Sequence, residues 1–449
     1  MNDKTPFASL NKVGTYLDED LSKINENTDI LDAQLKQAHQ ERRQEEATRL
    51  AADDALGARL DAEIGTRASE DGILATRILA ETRDREVALA DHDASAVAHD
   101  ALVRRITVGD ISPIIGVCQI ETGNCTGLWY NVDGEGQPIT PNARYFDYHP
   151  VYSAMRRVLV DGQVMVKNAP FWFKHLTPST GPFAGKLCRI ISPGPAEGFR
   201  PYPAFLDTSG NVADALYIGA YQGTDEGGSK IGSRPGKVPI VSLDFPTMRT
   251  RCSNRNTGGV AGFRMWDIYQ YSALCNLFLI EFASTESQGI IGRGHADGTA
   301  ATYTDASNQP LWRGYAGLWG NVWQMVDGLR LTAGRDIEIF KNDGSQAYVN
   351  TGKKSPSYDG TNPAYIIANH TGSGAGFNCE DCYLPATQST SYTAGTFPDY
   401  FYGGFGSAGN VLYVGGHWGY SSGAGLFCWY LNNPASYSNA GIGCRLAKL

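Results

Sequence analysis

Residues 415–447 read GGHWGYSSGAGLFCWYLNNPASYSNAGIGCRLA. The stretch carries almost no charge. From Tyr383 to Cys444 the one acid or strong base is Asp399, and the one histidine is His417. Tyr, Ser, Asn, Gly, Phe and Trp fill the remainder. Rigid aromatics offer contact area at low entropic cost, and Ser, Gly and Asn offer adaptable hydrogen bonds, which is the chemistry of an antibody combining site. A glycine-rich core segment of a β-poor fold has a similar composition; the binding reading is preferred. Within the stretch, Gly415 and Gly416 permit positive φ and close backbone approach. Arg445 is expected to satisfy buried carbonyls or a carboxylate.

Working upstream, residues 317–328 read GLWGNVWQMVDG. Trp319, Trp323 and Trp418 are read as core bulk. Gly320, Asn321, Trp323, Gly415, Gly416, Trp418 and Arg445 are read as structural, with no chemistry assigned. The 317–328 stretch resembles the Gly-Asn-Val-Trp-Glu-Trp signature of the formylglycine-generating-enzyme branch of the C-type-lectin fold. Gly415-Gly416-His417-Trp418, followed by 442–447 IGCRLA, is similar to that branch's Gly-Gly-Ser-Trp and Gly-Phe-Arg endings, in the same order. The resemblance implies a C-type-lectin-like head over residues 142–449 in a chain of α+β class.

The terminal stretch also resembles the variable region of diversity-generating-retroelement target proteins, phage tropism determinants among them. In those systems asparagine codons of a template are mutated at adenines. The resemblance implies that His417, Gly419, Tyr420, Ser421, Ser422, Tyr430, Tyr437 and Gly441 stand where a template asparagine is replaced, while Asn432, Asn433 and Asn439 stay unchanged. Each replacement is reachable from AAC by adenine changes alone. These positions are the expected ligand-binding residues. His417, Gly419, Tyr420, Ser421, Ser422, Tyr430 and Tyr437 are expected to be solvent-accessible and clustered, because positions that tolerate change must point away from the core.

The other half of the chain has the opposite chemistry. No Phe, Tyr or Trp lies between Tyr16 and Trp129, and no proline between Pro6 and Pro113. Such a segment cannot build a globular core, but it can build a long helix that needs partners. Leu17, Leu21, Ile24, Thr28, Leu31, Leu35 and Ala38 are spaced alternately 4 and 3, a heptad seam. Farther on an 18-residue repeat takes over, matching Thr48 with Thr66, Arg49 with Arg67, Leu56 with Leu74, Arg59 with Arg77 and Leu60 with Ile78. Eighteen residues make five helical turns, so one stripe stays on one face with little supercoil. This repeat resembles the stalks of phage tail fibres, and that resemblance favours three strands. The chain is thus read as an attachment tail (1–16), a trimeric coiled-coil stalk (17–106), a β-rich neck (107–141) that is rich in Gly, Ile, Thr and Asn with the turn punctuation of short β-strands, and the head. His92 and His99 fall seven apart near the stalk's end. They read as a solvated pair, or as a ring in a trimer able to hold an anion or a metal.

Forty-six of the 48 aromatic residues lie from Trp129 onward, so the head holds the core. Helices are expected over Phe263 to Ala283 and His149 to Arg157. The nine cysteines all lie beyond residue 117; an odd, sparse set argues against a disulfide scaffold and for buried free thiols. A net charge of −9 gives no basic footprint for nucleic acid. No stretch of 18 apolar residues is present, so membrane insertion is not expected. No secretory signal follows MNDKTPFASL; the expected setting is a virion tail, made in the host cytoplasm.

Chemistry has few footholds. Catalytic relatives of the formylglycine branch hold copper with a cysteine pair, but no partner for Cys428 can be named. Cys379-Glu380-Asp381-Cys382 is a lone CxxC, where structural zinc needs a second pair and a redox motif needs a thioredoxin-like context; packing or a local turn is preferred. Nucleophile-elbow, P-loop and dinucleotide signatures do not occur. Gln309-Pro310-Leu311 departs from the calcium loops of sugar-binding lectins. No catalytic residue, metal or cofactor is therefore expected. The expected function is phage tail-fibre adhesion to a bacterial cell-surface receptor, protein or glycan, with tail or baseplate proteins docking at the N-terminus. The alternatives are a formylglycine-generating-type oxidase and a structural tail or baseplate protein.

Overall fold

The computed structural model describes residues 112–119, 129–142, 144–357, 364–393, 396–403 and 409–449, together with Gln37, which is helical. The rest of the expected attachment tail and stalk, including His92 and His99, lies outside the described residues. The chain divides into two compact units, 1–99 and 100–449. The second is rich in β-structure, with few helices.

Three sheets account for most of it. The largest has seven strands. Tyr348–Lys354, Asp336–Phe340, Trp323–Leu331, Asn410–Gly415, Gly425–Tyr430 and Phe401–Tyr402 follow one another in space, and Ile442–Cys444 pairs in parallel with the start of Trp323–Leu331. A five-stranded sheet runs Phe263–Met265, Leu446–Lys448, Leu216–Gly219, Gln163–Asn168, Arg156–Val160. A second five-stranded sheet runs Trp129–Val132, Ile115–Gln119, Cys188–Ser192, Trp172–Leu176, Arg200–Pro201. Its first two strands come from the segment read as a neck. Cys118 stands opposite Cys188, so those strands share one hydrogen-bonded sheet with residues of the head.

One long helix, Ile268–Phe282, fills the core. Asp267 and Gln270 close a reciprocal capping box at its start, and Ala283 ends it in the left-handed region. Residues 268–280 are all buried, as fits a helix apolar on every side. The helix starts later than its periodicity predicts. Phe263–Met265 is a strand paired with Leu446–Lys448, its outer residues buried and Arg264 between them less so, a period of two. The expected helix over His149 to Arg157 is also corrected. Pro150–Ser153 forms a single turn capped by His149, and Arg156–Val160 is an edge strand.

The eight described cysteines are buried and free. Cys252 and Cys444 bring their sulfurs to 4.0 Å. Cys379–Asp381 is a tight turn capped by Asn378, which is the local-turn role preferred for the CxxC.

Candidate functional site

The site rests on a buried cation. Arg445 has no solvent exposure. Its Nε donates to Gln324 Oε1 at 2.7 Å, Nη1 to the Gly219 carbonyl at 2.7 Å, and Nη2 to the Ala316 and Gly317 carbonyls at 2.9 and 2.6 Å. Gln324 completes the set by donating to the carbonyls of Gly317 and Leu318. The partners are carbonyls and one amide, so the carbonyl alternative for Arg445 holds. Burial draws its pKa down to about 9, which leaves it charged at neutral pH.

Above it two turns interlock. Gly320 and Asn321 both have positive φ, 72° and 64°, a conformation Asn tolerates better than most side chains. Asn321 Nδ2 donates to Gln222 Oε1 at 2.8 Å, and its Oδ1 accepts from the Thr302 amide at 2.8 Å. Gly415 has φ 91°, and a Cβ there would stand 2.8 Å from the Leu318 carbonyl oxygen. Gly320 and Gly415 admit no side chain without strain.

The segment from Gly416 to Ala424 lies on this base, and its main chain is held from outside. The Trp418 amide donates to the Asn321 carbonyl at 3.2 Å, the Trp418 carbonyl accepts from the Gly298 amide at 2.7 Å, and the Ser421 amide donates to the Ala296 carbonyl at 2.7 Å. Gln288 Nε2 donates to the carbonyls of Ser421, at 2.9 Å, and Ala424. None of these bonds uses a side chain of the segment itself. Two side chains do take part in local contacts: Ser421 Oγ accepts from Arg293, and His417 Nδ1 accepts from the Gly419 amide at 2.9 Å.

Aromatic rings gather beside the segment. Register puts Tyr402 beside Tyr430 and Tyr430 beside Tyr413, one tyrosine on each of three adjacent strands. Their ring centroids are 5.3 and 5.8 Å apart. Tyr402 and Tyr430 are half-buried and Tyr413 is fully buried at the inner end of the row; the alternate positions Phe401, Trp429 and Val414 are fully buried. Tyr420 sits across this row, 5.7 Å from Tyr402 and 4.5 Å from His417. Trp323 forms the floor, 4.9 Å from Tyr420 and 5.5 Å from Tyr430. Burial pulls the His417 pKa down to about 4, so the imidazole is neutral near pH 7. Beneath the face, Asp399 is buried and accepts from the Phe427 amide at 2.7 Å; burial pushes its carboxyl well above the ordinary range.

The expected positions divide as follows. Gly419, Ser422 and Tyr437 are exposed; His417, Tyr420, Ser421 and Tyr430 are half-buried; Gly441 is buried. His417, Tyr420 and Tyr430 are brought together by direct or shared ring contacts. Tyr437 lies on the turn after them, where burial first, with Tyr430 and Tyr437 beside it, pushes the Tyr413 phenol up. Gly441 packs beneath His417 and Trp418, at 3.2 and 3.3 Å from where its Cβ would be. Trp418, read as core bulk, is half-buried with its ring 4.8 Å from that of His417; Trp319 and Trp323 are in the core as expected. Sequence reasoning missed Tyr402 and Tyr400, although both lie in the same charge-free stretch as the terminal motif. Among the described residues, no group of three or more His, Cys, Asp or Glu is gathered to hold a metal.

Solved structures similar in fold include "Treponema denticola variable protein 1", at 12% identity and TM-score 0.30 over 65% of this chain and 98% of that one. PvdO from Pseudomonas aeruginosa is also similar, at 12% identity and TM-score 0.28 over 66% of this chain and 98% of that one. A Major Tropism Determinant M1 variant matches at 12% identity and TM-score 0.25 over 75% of this chain and 72% of that one. No protein-family model and no curated protein matches the chain.

Proposed function

We propose that this chain is a tail-fibre-type adhesin that recognises a bacterial surface receptor through the face built by His417, Gly419, Tyr420, Ser422, Tyr430 and Tyr437. One observation carries the reading: the 416–424 main chain is held by main-chain groups and by Gln288, with His417 on the Gly419 amide as the one side chain of the segment that takes part, while His417 and Tyr420 join Tyr402 and Tyr430 in an uncharged aromatic surface. That arrangement separates recognition from folding, as a surface whose residues change between variants requires. In this reading the N-terminal stalk is a coiled-coil trimer on a virion tail, and three heads raise a weak single-site affinity by avidity. The oxidase alternative is disfavoured by Cys428, which is fully buried with its thiol pushed well up by burial and by Asp399 nearby.

Adsorption of the full chain to a panel of bacterial strains tests the proposal. Combined His417→Ala, Tyr420→Ala and Tyr430→Ala substitution should abolish adsorption to any strain the parent binds, with the head still folded. Unchanged adsorption would exclude this face. Light scattering that shows a monomer would remove the trimer.

A further inference from the structure

We infer that Tyr402 is a constant contact residue of the recognition face, and that the partner is a polypeptide surface with an uncharged centre; the inference rests on the adhesin reading above. Tyr402 lies outside the stretch from Gly415 to Ala447 that carries the expected variable positions. Its strand, Phe401–Tyr402, pairs in parallel with Gly425–Tyr430. The pairing alternates: Phe401 and Trp429 face inward and are fully buried, and Tyr402 and Tyr430 share the opposite, half-buried face. The Tyr402 carbonyl accepts from the Leu431 amide at 2.7 Å, which fixes the strand at that point.

From there the Tyr402 ring touches both halves of the terminal segment, Tyr420 at 5.7 Å and Tyr430 at 5.3 Å. A partner that covers both rings must also meet the ring set between them. The row of aromatics continues through Tyr400, 6.2 Å from Tyr402, to Tyr365, 5.5 Å farther on. A single sugar ring spans one such contact, whereas a row of this length suits the core of a protein interface, where aromatics are enriched and charges depleted. Charge points the same way. Asp399 is buried under the face, and the exposed Arg293 and Asp297 at its edge pair with each other. The centre of the face thus offers no free counter-charge to an ionic partner; a carboxylate, Glu286, stands only at its far end, where it accepts from the Tyr392 hydroxyl at 3.3 Å beside Tyr365.

The test uses a display library of the full chain randomised at positions 417, 419, 420, 422, 430 and 437, with Tyr402 unchanged. It is selected in parallel on immobilised lysozyme and on a chitin-oligosaccharide resin. Independent lysozyme binders should emerge. Tyr402→Ala should weaken most of them by about tenfold or more, Tyr402→Phe should retain most of the affinity, and Leu159→Ala, on an edge strand of a different sheet, should change none. The melting temperature of each variant is measured alongside, so that loss of fold is separated from loss of contact. Lysozyme binders indifferent to Tyr402→Ala overturn the inference and leave the adhesin reading standing. Binders recovered on chitin alone overturn the polypeptide partner. If neither target yields a binder, the adhesin reading fails and takes this inference with it.

Discussion

Arg445 and Tyr420 lie 25 residues apart in one stretch of chain and are held in opposite ways. Arg445 is surrounded by oxygen acceptors, most of them main-chain carbonyls, and satisfies them at fixed distances. Tyr420 is half-buried among rings, and its own hydrogen bonds, with Tyr402 and Trp323, are to side chains and not to the main chain. The difference teaches where substitution is costly. A side chain that satisfies main-chain groups cannot be replaced without leaving those groups buried and unpaired. A side chain that only packs against other side chains can be exchanged while the backbone beneath it stays put.

The largest expected effect is at Arg445. Arg445→Met should destabilise the head by about 3–5 kcal/mol, because buried oxygens lose a charged donor. Arg445→Lys should rescue little, since one ammonium cannot reproduce a planar fork. Urea unfolding measures both. Gly415→Ala comes next. Its φ of 91° and the 2.8 Å approach to the Leu318 carbonyl should cost about 1–3 kcal/mol.

The third prediction sets two titrations against each other. The folded His417 binds its proton less readily than the unfolded imidazole, whose pKa is about 6.5. Stability therefore rises as the pH climbs from about 4 toward that value. Asp399 has the opposite sign, because burial keeps its proton on in the folded state. Stability falls as the pH rises through the ordinary carboxylate range, and stops falling once the folded carboxyl also ionises. His417→Phe should remove the first slope and Asp399→Asn the second, read from unfolding midpoints between pH 4 and 8.

Tyr420→Ala is the finest test of the comparison. It should cost about 2 kcal/mol in binding and less than that in stability, measured by adsorption and by thermal unfolding together. If Tyr420→Ala unfolds the head as Arg445→Met does, the proposed separation of face from frame collapses. Ser422→Ala, at an exposed position, should change stability by no more than about 0.5 kcal/mol.

How legible these regions were in the sequence follows the same division. Gly415, Gly416 and Arg445 were readable because backbone geometry and charge burial restrict residue type so strongly. The Ile268–Phe282 helix was readable from its apolar run, but its start was not: Phe263–Met265 became a strand because Leu446–Lys448, far along the chain, supplies its partner. Tyr402 was invisible for the same reason, since only a parallel pairing sets it beside Tyr430. Trp418 shows the limit of residue type alone. A tryptophan is usually core, yet here its ring lies half-buried beside His417. The near-absence of charge from Tyr383 to Cys444 does not say which tyrosines face outward.

The Leu446–Lys448 strand has a consequence for how the protein is made. It lies between Phe263–Met265 and Leu216–Gly219, while Ile442–Cys444 just before it joins the seven-stranded sheet. A nascent chain leaving the ribosome cannot join Phe263–Met265 to the five-stranded sheet, or add the parallel strand to Trp323–Leu331, until these residues emerge. Contacts of such sequence separation form late and slowly. A chain cut short by a frameshift or stop codon anywhere in the terminal stretch would lose this strand and leave Phe263–Met265 without its partner and Leu216–Gly219 with an open edge. Only a chain that carries the terminal stretch through to Lys448 can complete the five-stranded sheet.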